Sequence, residues 1–341
     1  MRYNYLDTNE LQSIYFGGGT PSLLEISDLD KILHTLSKYF HWNENTEITL
    51  EANPDDLNSD VLQAYMKLGI NRLSIGVQSF FDEDLQFMTR AHDASQAISA
   101  ILLAQDAGFE NITIDLIYGC PGTTDEMWLS NLERVSALNI PHISAYALTV
   151  EEKTALHYAV NKKSVILPED EKVHHQFELL MDFAENHQYD HYEISNFAMD
   201  NKFAVHNSNY WKSVPYFGLG PSAHSFDGSS RSWNIANNAL YIKNIEAGFP
   251  ICETEVLRRE TKYNEYIMTG LRTKWGVSME KIKKEFGDYF ANYFNQNAAE
   301  YLISGHLINN CNTFYLSREG KFIADKIISD LFFVEDINAV R

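Results

Sequence analysis

Glu51, Gln78 and Asp115 interrupt apolar runs that otherwise read as buried strands. A polar group there is costly unless it has a partner, whether protein or ligand. Other residues able to do chemistry gather at the ends of the same runs: Gly17-Gly18-Gly19-Thr20-Pro21, Glu51-Ala52-Asn53-Pro54, Gln78-Ser79 and Gly119-Cys120-Pro121-Gly122. Glycine and proline punctuate any loop and by themselves mark only turns. The triple glycine offers more, because a backbone without Cβ atoms lets a ligand approach closely. Its N–H groups can hold a carboxylate and its carbonyls an ammonium.

The elements that must position these groups follow from hydrophobic spacing. Five β-type runs, at 13–16, 47–51, 72–77, 111–117 and 142–149, alternate with helical patterns. Leu29, Ile32, Leu33 and Leu36 recur at helical spacing behind an N-cap at Ser27, and Val61, Leu62, Tyr65 and Met66 repeat the pattern. So do Ala97, Ile98, Ile101 and Leu102, closed by Gly108. A fourth helix starts near Thr124 and runs through Trp128, Leu132 and Val135. Strand, helix and strand in repetition mean parallel strands joined by right-handed crossovers. In such folds ligands bind at the carboxyl ends of the strands, where the polar residues gather.

Past residue 150 the pattern loosens. The stretch 161–173 reads as a surface loop, and 192–197, 216–223 and 232–235 as short extended segments. After about residue 255 helices dominate, at 262–271, 278–286 and 294–304. Short runs near 307–308 and 314–316 precede a last helix at 318–331. Helices followed by a small hairpin predict a winged-helix-like domain, so the expected division is 1–250 and 251–341.

Composition narrows the function. A net charge of −20, with no Lys/Arg block longer than two, argues against nucleic acid and anionic membrane surfaces as partners. Neither a run of 18 apolar residues nor a signal-type leader is present, so the expectation is a cytoplasmic protein with no integral membrane segment. Cys120, Cys252 and Cys311 lie too far apart in sequence for a metal-ligand motif and are expected to be reduced and partly buried.

Read in order, Gly17–Pro21, Ile48-Thr49-Leu50-Glu51-Ala52-Asn53-Pro54, Gly76-Val77-Gln78-Ser79-Phe80, Arg90 and Ile114-Asp115-Leu116-Ile117-Tyr118-Gly119 resemble the S-adenosylmethionine (SAM) binding half of radical SAM proteins. The similarity is to the oxygen-independent coproporphyrinogen III oxidase family. It continues through Tyr192-Glu193-Ile194-Ser195-Asn196-Phe197-Ala198, Gly218–Ser225 and the C-terminal helices. It implies an incomplete parallel (β/α) barrel of radical SAM type with a small helical winged-helix-like domain. It also implies SAM contacts from Gly18, Gly19, Thr20, Glu51, Gln78, Arg90, Asp115 and Ala147. Which acceptor meets which SAM group stays open.

His206-Asn207-Ser208-Asn209-Tyr210-Trp211 resembles the HemW-type, haem-handling branch of that family. The resemblance implies a haem chaperone that binds haem or porphyrin and has a haem-accepting protein as partner. His206 would be the iron ligand and Asn207, Tyr210 and Trp211 its neighbours. Binding through a histidine should weaken as pH falls through about 6.5. Coproporphyrinogen oxidation, by radical decarboxylation of propionates, is the alternative within the family. A catalytically silent scaffold is the alternative outside it.

The chain departs from the family in one respect. Radical SAM chemistry uses a [4Fe–4S] cluster on three cysteines spaced Cys-x-x-x-Cys-x-x-Cys, and this sequence has no such pattern. The expectation is an N-terminally truncated chain whose full-length parent alone carries the cluster, or a relative that has shed it. In either case it should not cleave SAM. A missing first strand would also leave 13–16 as an uncovered edge, open to homodimer formation.

Overall fold

A computed structural model describes residues 5–249 and 252–335. The chain divides into two compact units, Glu10–His206 and the residues from Asn207 onward together with the first nine. The boundary expected at residue 250 falls inside the second unit.

In the first unit the strands are β1 (Ser13–Phe16), β2 (Glu47–Ala52), β3 (Arg72–Gln78), β4 (Ile112–Tyr118) and β5 (His142–Ala147), then β6 (Asp190–Glu193) and β7 (Asn196–Ala198). Helices α1 (Ile26–Leu36), α2 (Ser59–Lys67), α3 (Asp82–Phe87), α4 (Ala94–Asp106) and α5 (Asp125–Ala137) fill the crossovers. Helices α6 (Ala155–Asn161) and α7 (Asp170–Asn186) precede the β6–β7 hairpin, and α8 (Val205–Trp211) follows it. The strands form one curled half-barrel sheet in the order β1-β2-β3-β4-β5-β7-β6, parallel from β1 to β5 and antiparallel where β7 joins β5.

The period of two in a strand explains the sheet's two faces. One residue set is apolar and buried: Ile14, Ile48, Leu50, Leu73, Ile75, Ile112, Ile114 and Ile143. The helices add Leu29, Leu62, Ile101 and Leu132, all fully buried. The alternate set is polar: Ser13 and Tyr15, Glu47 and Glu51, Arg72 and Ser74, Thr113 and Asp115, His142 and Ser144. Register aligns these across the sheet, with Ser13 opposite Glu47, Glu51 opposite Ser74 and Asp115 opposite Ser144.

The five expected parallel strands are present, and the fourth helix starts near Thr124 as expected, with the Thr124 hydroxyl capping α5. Ser27 is not a cap. Glu25 holds that place because its carbonyl accepts the first helical N–H groups, from Asp28 and Leu29. The stretch 161–173 is loop only over 162–169, between the end of α6 at Asn161 and the start of α7 at Asp170. No strand forms over 216–223, where Gly220 and Ser222 take positive φ and Tyr216 makes a single bridge to Phe226.

The second unit holds two antiparallel sheets. Strands β8 (His224–Phe226), β9 (Ser230–Asn234) and β10 (Cys252–Val256) make the first, with α9 (Asn238–Glu246) between β9 and β10. In the helical C-terminal region, α10 (Arg259–Leu271) and α11 (Met279–Ile303, broken at Gly287) pack with β11 (Val277–Ser278), β12 (Leu307–Asn310) and β13 (Thr313–Leu316). The expected last helix splits into α12 (Arg318–Phe322) and α13 (Ala324–Leu331), because Ile323 leaves helical geometry at φ −116°. Cys120 is buried and Cys252 half-buried, but Cys311 is exposed, since it turns the β12–β13 hairpin at φ 50°. Among the described residues no helix is long and apolar enough to cross a membrane.

Candidate functional site

The first strand ends on the triple glycine, and the chain reverses there because Gly18 and Gly19 take φ of 79° and 68°. A Cβ on either would meet nothing within 4 Å, so open space lies over this loop. Gly17 is tight instead: a Cβ would come within 2.4 Å of the Tyr15 ring and 2.9 Å of Glu51 Oε1. Glu51, near the end of β2, is held on both oxygens. The Tyr15 hydroxyl donates to Oε1 at 2.6 Å and the Gly18 N–H to Oε2 at 3.0 Å. Burial, with the negative charge of Glu51 added, pushes the Tyr15 phenol far above its usual range.

Asp115 stands on the same polar face, two strands from Glu51. Part of its surface stays accessible, yet protein surrounds the carboxyl closely enough to raise its pKa to about 7. Desolvation is the main cause; hydrogen bonds from Ser144 and Ser74 oppose it, and the Glu51 charge adds to it.

Gln78 and Arg90 face a neighbouring cavity of about 560 Å³. Its wall includes Phe87, Met88, Ile117, Leu148, Leu156 and Val165. Arg90 donates through Nη2 to Asn53 Oδ1 at 2.7 Å and to the Gly76 carbonyl at 3.2 Å. A Cβ at Gly76 would sit 2.9 Å from the Gln78 amide and 3.1 Å from that guanidinium, so glycine makes the room they use. Of the eight residues expected at SAM, Gln78 and Arg90 line this cavity, while Glu51 and Gly18 are bonded to each other and are not part of its lining. Thr20 precedes the short 3₁₀ turn Pro21–Leu23, and Ala147 ends β5 one residue before Leu148. Of the apolar wall from 155 to 165, Val165 lies in the stretch 161–173 expected to be a surface loop, and Ala155, Leu156 and Ala159 precede it in α6.

A second cluster surrounds His206. Its Nδ1 lies 2.9 Å from Ser13 Oγ, and its ring stacks on Tyr15 with centroids 4.6 Å apart and planes 20° from parallel. The N–H groups of Val205 and His206, which open α8, both donate to the Glu47 carboxylate at 2.9 Å. Glu47 in turn faces Arg72, whose guanidinium donates to Asn111 and Thr113. Thr113 contacts His142, and His142 contacts the Tyr192 hydroxyl at 2.7 Å. Burial lowers the His206 pKa to about 4, so the imidazole is neutral well below the expected titration near 6.5. His206 is the last residue of the first unit, and Asn207, Tyr210 and Trp211 continue α8 into the second. There Tyr210 meets Tyr216 edge-on at 4.7 Å and Arg272 lies 5.9 Å over the Trp211 ring.

A half-barrel with its polar face inward and a glycine loop after β1 defines the class, and the chain belongs to the radical SAM proteins. The Radical SAM superfamily model matches residues 4–135 and the HemN C-terminal domain model residues 257–323. Within that class the chain belongs to the HemW family. It is 32% identical over 336 residues to the heme chaperone HemW of Lactococcus lactis subsp. lactis, covering 98% of this chain and 88% of that protein. It is 33% identical over 320 residues to HemW of Bacillus subtilis, covering 93% and 84%. Coproporphyrinogen III oxidase (HemN) from Escherichia coli, a radical SAM enzyme, shares the fold at a TM-score of 0.79 and 22% identity, over 95% of this chain and 78% of that one.

The residues fit SAM in kind: an open glycine loop, a carboxylate held by that loop, an arginine and a mostly apolar cavity. They do not fit a [4Fe–4S] cluster. Cys120 is the one cysteine of the first unit, and burial pushes its thiol up to about 12. No group of three or more metal-binding side chains forms among the described residues.

Proposed function

We propose that this chain is a haem chaperone, binding haem through His206 and passing it to an acceptor protein. The observation that carries the reading is the state of His206. Ser13 engages Nδ1 and Tyr15 stacks on the ring. Burial keeps the imidazole in its neutral, ligating form. A ligand histidine held this way through one ring nitrogen is oriented in advance. Tyr210 and Trp211 follow His206 in the motif and belong to the second unit.

SAM would be held by Gly18, Gly19, Thr20, Glu51, Gln78, Arg90, Asp115 and Ala147. Bound there, it brings an ammonium, a carboxylate and an adenosyl group. Arg90 suits the carboxylate, Glu51 and Asp115 the ammonium or ribose hydroxyls, and the cavity wall the adenine. No cleavage step is assigned to this chain, since the cluster that would reduce SAM has no ligands here.

Hemin titration followed by the Soret band, on the parent and on His206→Ala, tests the reading. The histidine-ligated spectrum should disappear in the variant, and Ser13→Ala should weaken binding about tenfold. Unchanged affinity and spectrum in His206→Ala would refute the assignment. Porphyrin products from a coproporphyrinogen substrate would point to the oxidase instead.

A further inference from the structure

Tyr15 belongs to both clusters at once. Its ring stacks on His206 with centroids 4.6 Å apart, and its hydroxyl donates to Glu51 at 2.6 Å. Glu51 continues the path to the glycine loop through the Gly18 N–H. A bond that short from a phenol to a carboxylate is charge-assisted and draws its strength from the negative charge of the acceptor. A cationic ligand at Glu51 cancels part of that charge.

We propose that Tyr15 is a positioning residue that couples the glycine-loop site to His206, so that a cation-bearing ligand at Glu51 weakens iron coordination by the histidine. The inference rests on the haem and SAM readings above. With Glu51 neutralised, the Tyr15 hydroxyl loses its anchor and the ring is no longer fixed against the imidazole. His206 keeps its Ser13 contact but loses the surface that sets its tilt. Coupling of this kind needs a contact that differs between the two states, and the Tyr15–Glu51 hydrogen bond supplies it. It is reciprocal, so haem at His206 weakens SAM at Glu51 by the same factor. SAM would then favour haem release.

The test is a pair of titrations, hemin with and without saturating SAM, on the parent, Tyr15→Phe and Glu51→Gln. In the parent, SAM should weaken hemin binding at least about fivefold, and hemin should weaken SAM equally. Glu51→Gln, which removes the charge without any ligand, should by itself bind hemin about fivefold more weakly than the parent. Tyr15→Phe keeps the ring and loses the hydroxyl. Whatever its own hemin affinity, SAM should change it less than about twofold. Equal SAM effects in the parent and Tyr15→Phe, or parent-like hemin affinity in Glu51→Gln, would overturn the proposal while leaving the haem reading intact. A parent that bound no hemin would overturn both.

Discussion

Glu47 and Arg72 face each other across neighbouring strands, Oε2 to Nε 3.8 Å, with 5% and 2% of their surfaces exposed. The same carboxylate receives the two N–H groups that open α8, so one buried anion serves both a guanidinium and the helix carrying His206. Removing it leaves a buried cation and two helix donors without their acceptor. Glu47→Ala should cost about 3–5 kcal/mol of unfolding free energy, read from urea denaturation. Glu47→Gln, which keeps an acceptor for the N–H groups, should cost less. A loss below about 1 kcal/mol in Glu47→Ala would show that the pair is not structural.

Asp115 gives the SAM site a pH dependence. With its pKa raised to about 7, the carboxyl is partly protonated at neutral pH, and a bound cation favours the charged form. SAM affinity should therefore rise with pH through about 7, with proton release detectable by calorimetry in buffers of different ionisation enthalpy. Asp115→Asn should flatten the profile. For stability the sign is opposite to the usual carboxylate, because the folded state holds the proton more tightly than the unfolded one. The contribution is full below the unfolded value near 4 and is lost as pH rises through about 7. A SAM affinity independent of pH between 6 and 8 would remove Asp115 from the site.

His206 titrates in the other direction. Its folded pKa, about 4, lies below the unfolded value near 6.5. Its contribution to stability is thus present above 6.5 and lost as pH falls towards 4. Hemin affinity should stay level from pH 8 to about 5 and fall only as pH approaches 4. A midpoint near 6.5 would mean that the ring is solvated in the binding state. Titration of the histidine ring protons by NMR reads the same value without haem.

Gly76 and Gly17 separate ligand binding from folding. A methyl at Gly76 meets the ends of two flexible side chains, Gln78 and Arg90, which can move aside. Gly76→Ala should keep a melting temperature close to the parent and lose about tenfold in SAM affinity, roughly one misplaced charged hydrogen bond. Gly17→Ala is different, because its methyl would strike the Tyr15 ring at 2.4 Å and must dislodge a packed aromatic. A lower melting temperature, with His206 perturbed as well, is expected. The ring protons of His206 report the latter, and an unshifted spectrum would count against the Tyr15 contact.

Strand β1 pairs with β2 alone among the described residues, so its other edge has no strand beside it. In a parallel sheet alternate residues direct their N–H groups to opposite sides, and one of Ile14 and Tyr15 points away from β2. Such an edge invites pairing with a second copy. A concentration-dependent dimer in light scattering is expected, with the outward amide protected from hydrogen exchange only at high concentration. Protection of both amides in a dilute monomer would mean that something else covers the edge.

The strands were legible from sequence because alternation is a local property, whereas the SAM set came from resemblance to a family. Alternation of Ile48, Leu50 and Ala52 with Glu47, Thr49 and Glu51 defines a two-faced strand before any partner is known. The triple glycine marks a loop that the chain folds into by itself. What the strand alone could not supply was the company its polar face keeps. Glu51 reads as a carboxylate in need of a partner, protein or ligand, and Tyr15 and the Gly18 N–H hold it. The Ser13–His206 contact spans 193 residues and exists because the sheet curls and α8 returns to its first strand. Whether His206 is charged at neutral pH was likewise undecidable from its own neighbours, since burial sets that pKa and burial is made by distant segments. Local spacing determined which residues could do chemistry. The tertiary fold decided which of them touch, because hydrogen bonds and desolvation act over a few ångströms of space regardless of separation along the chain.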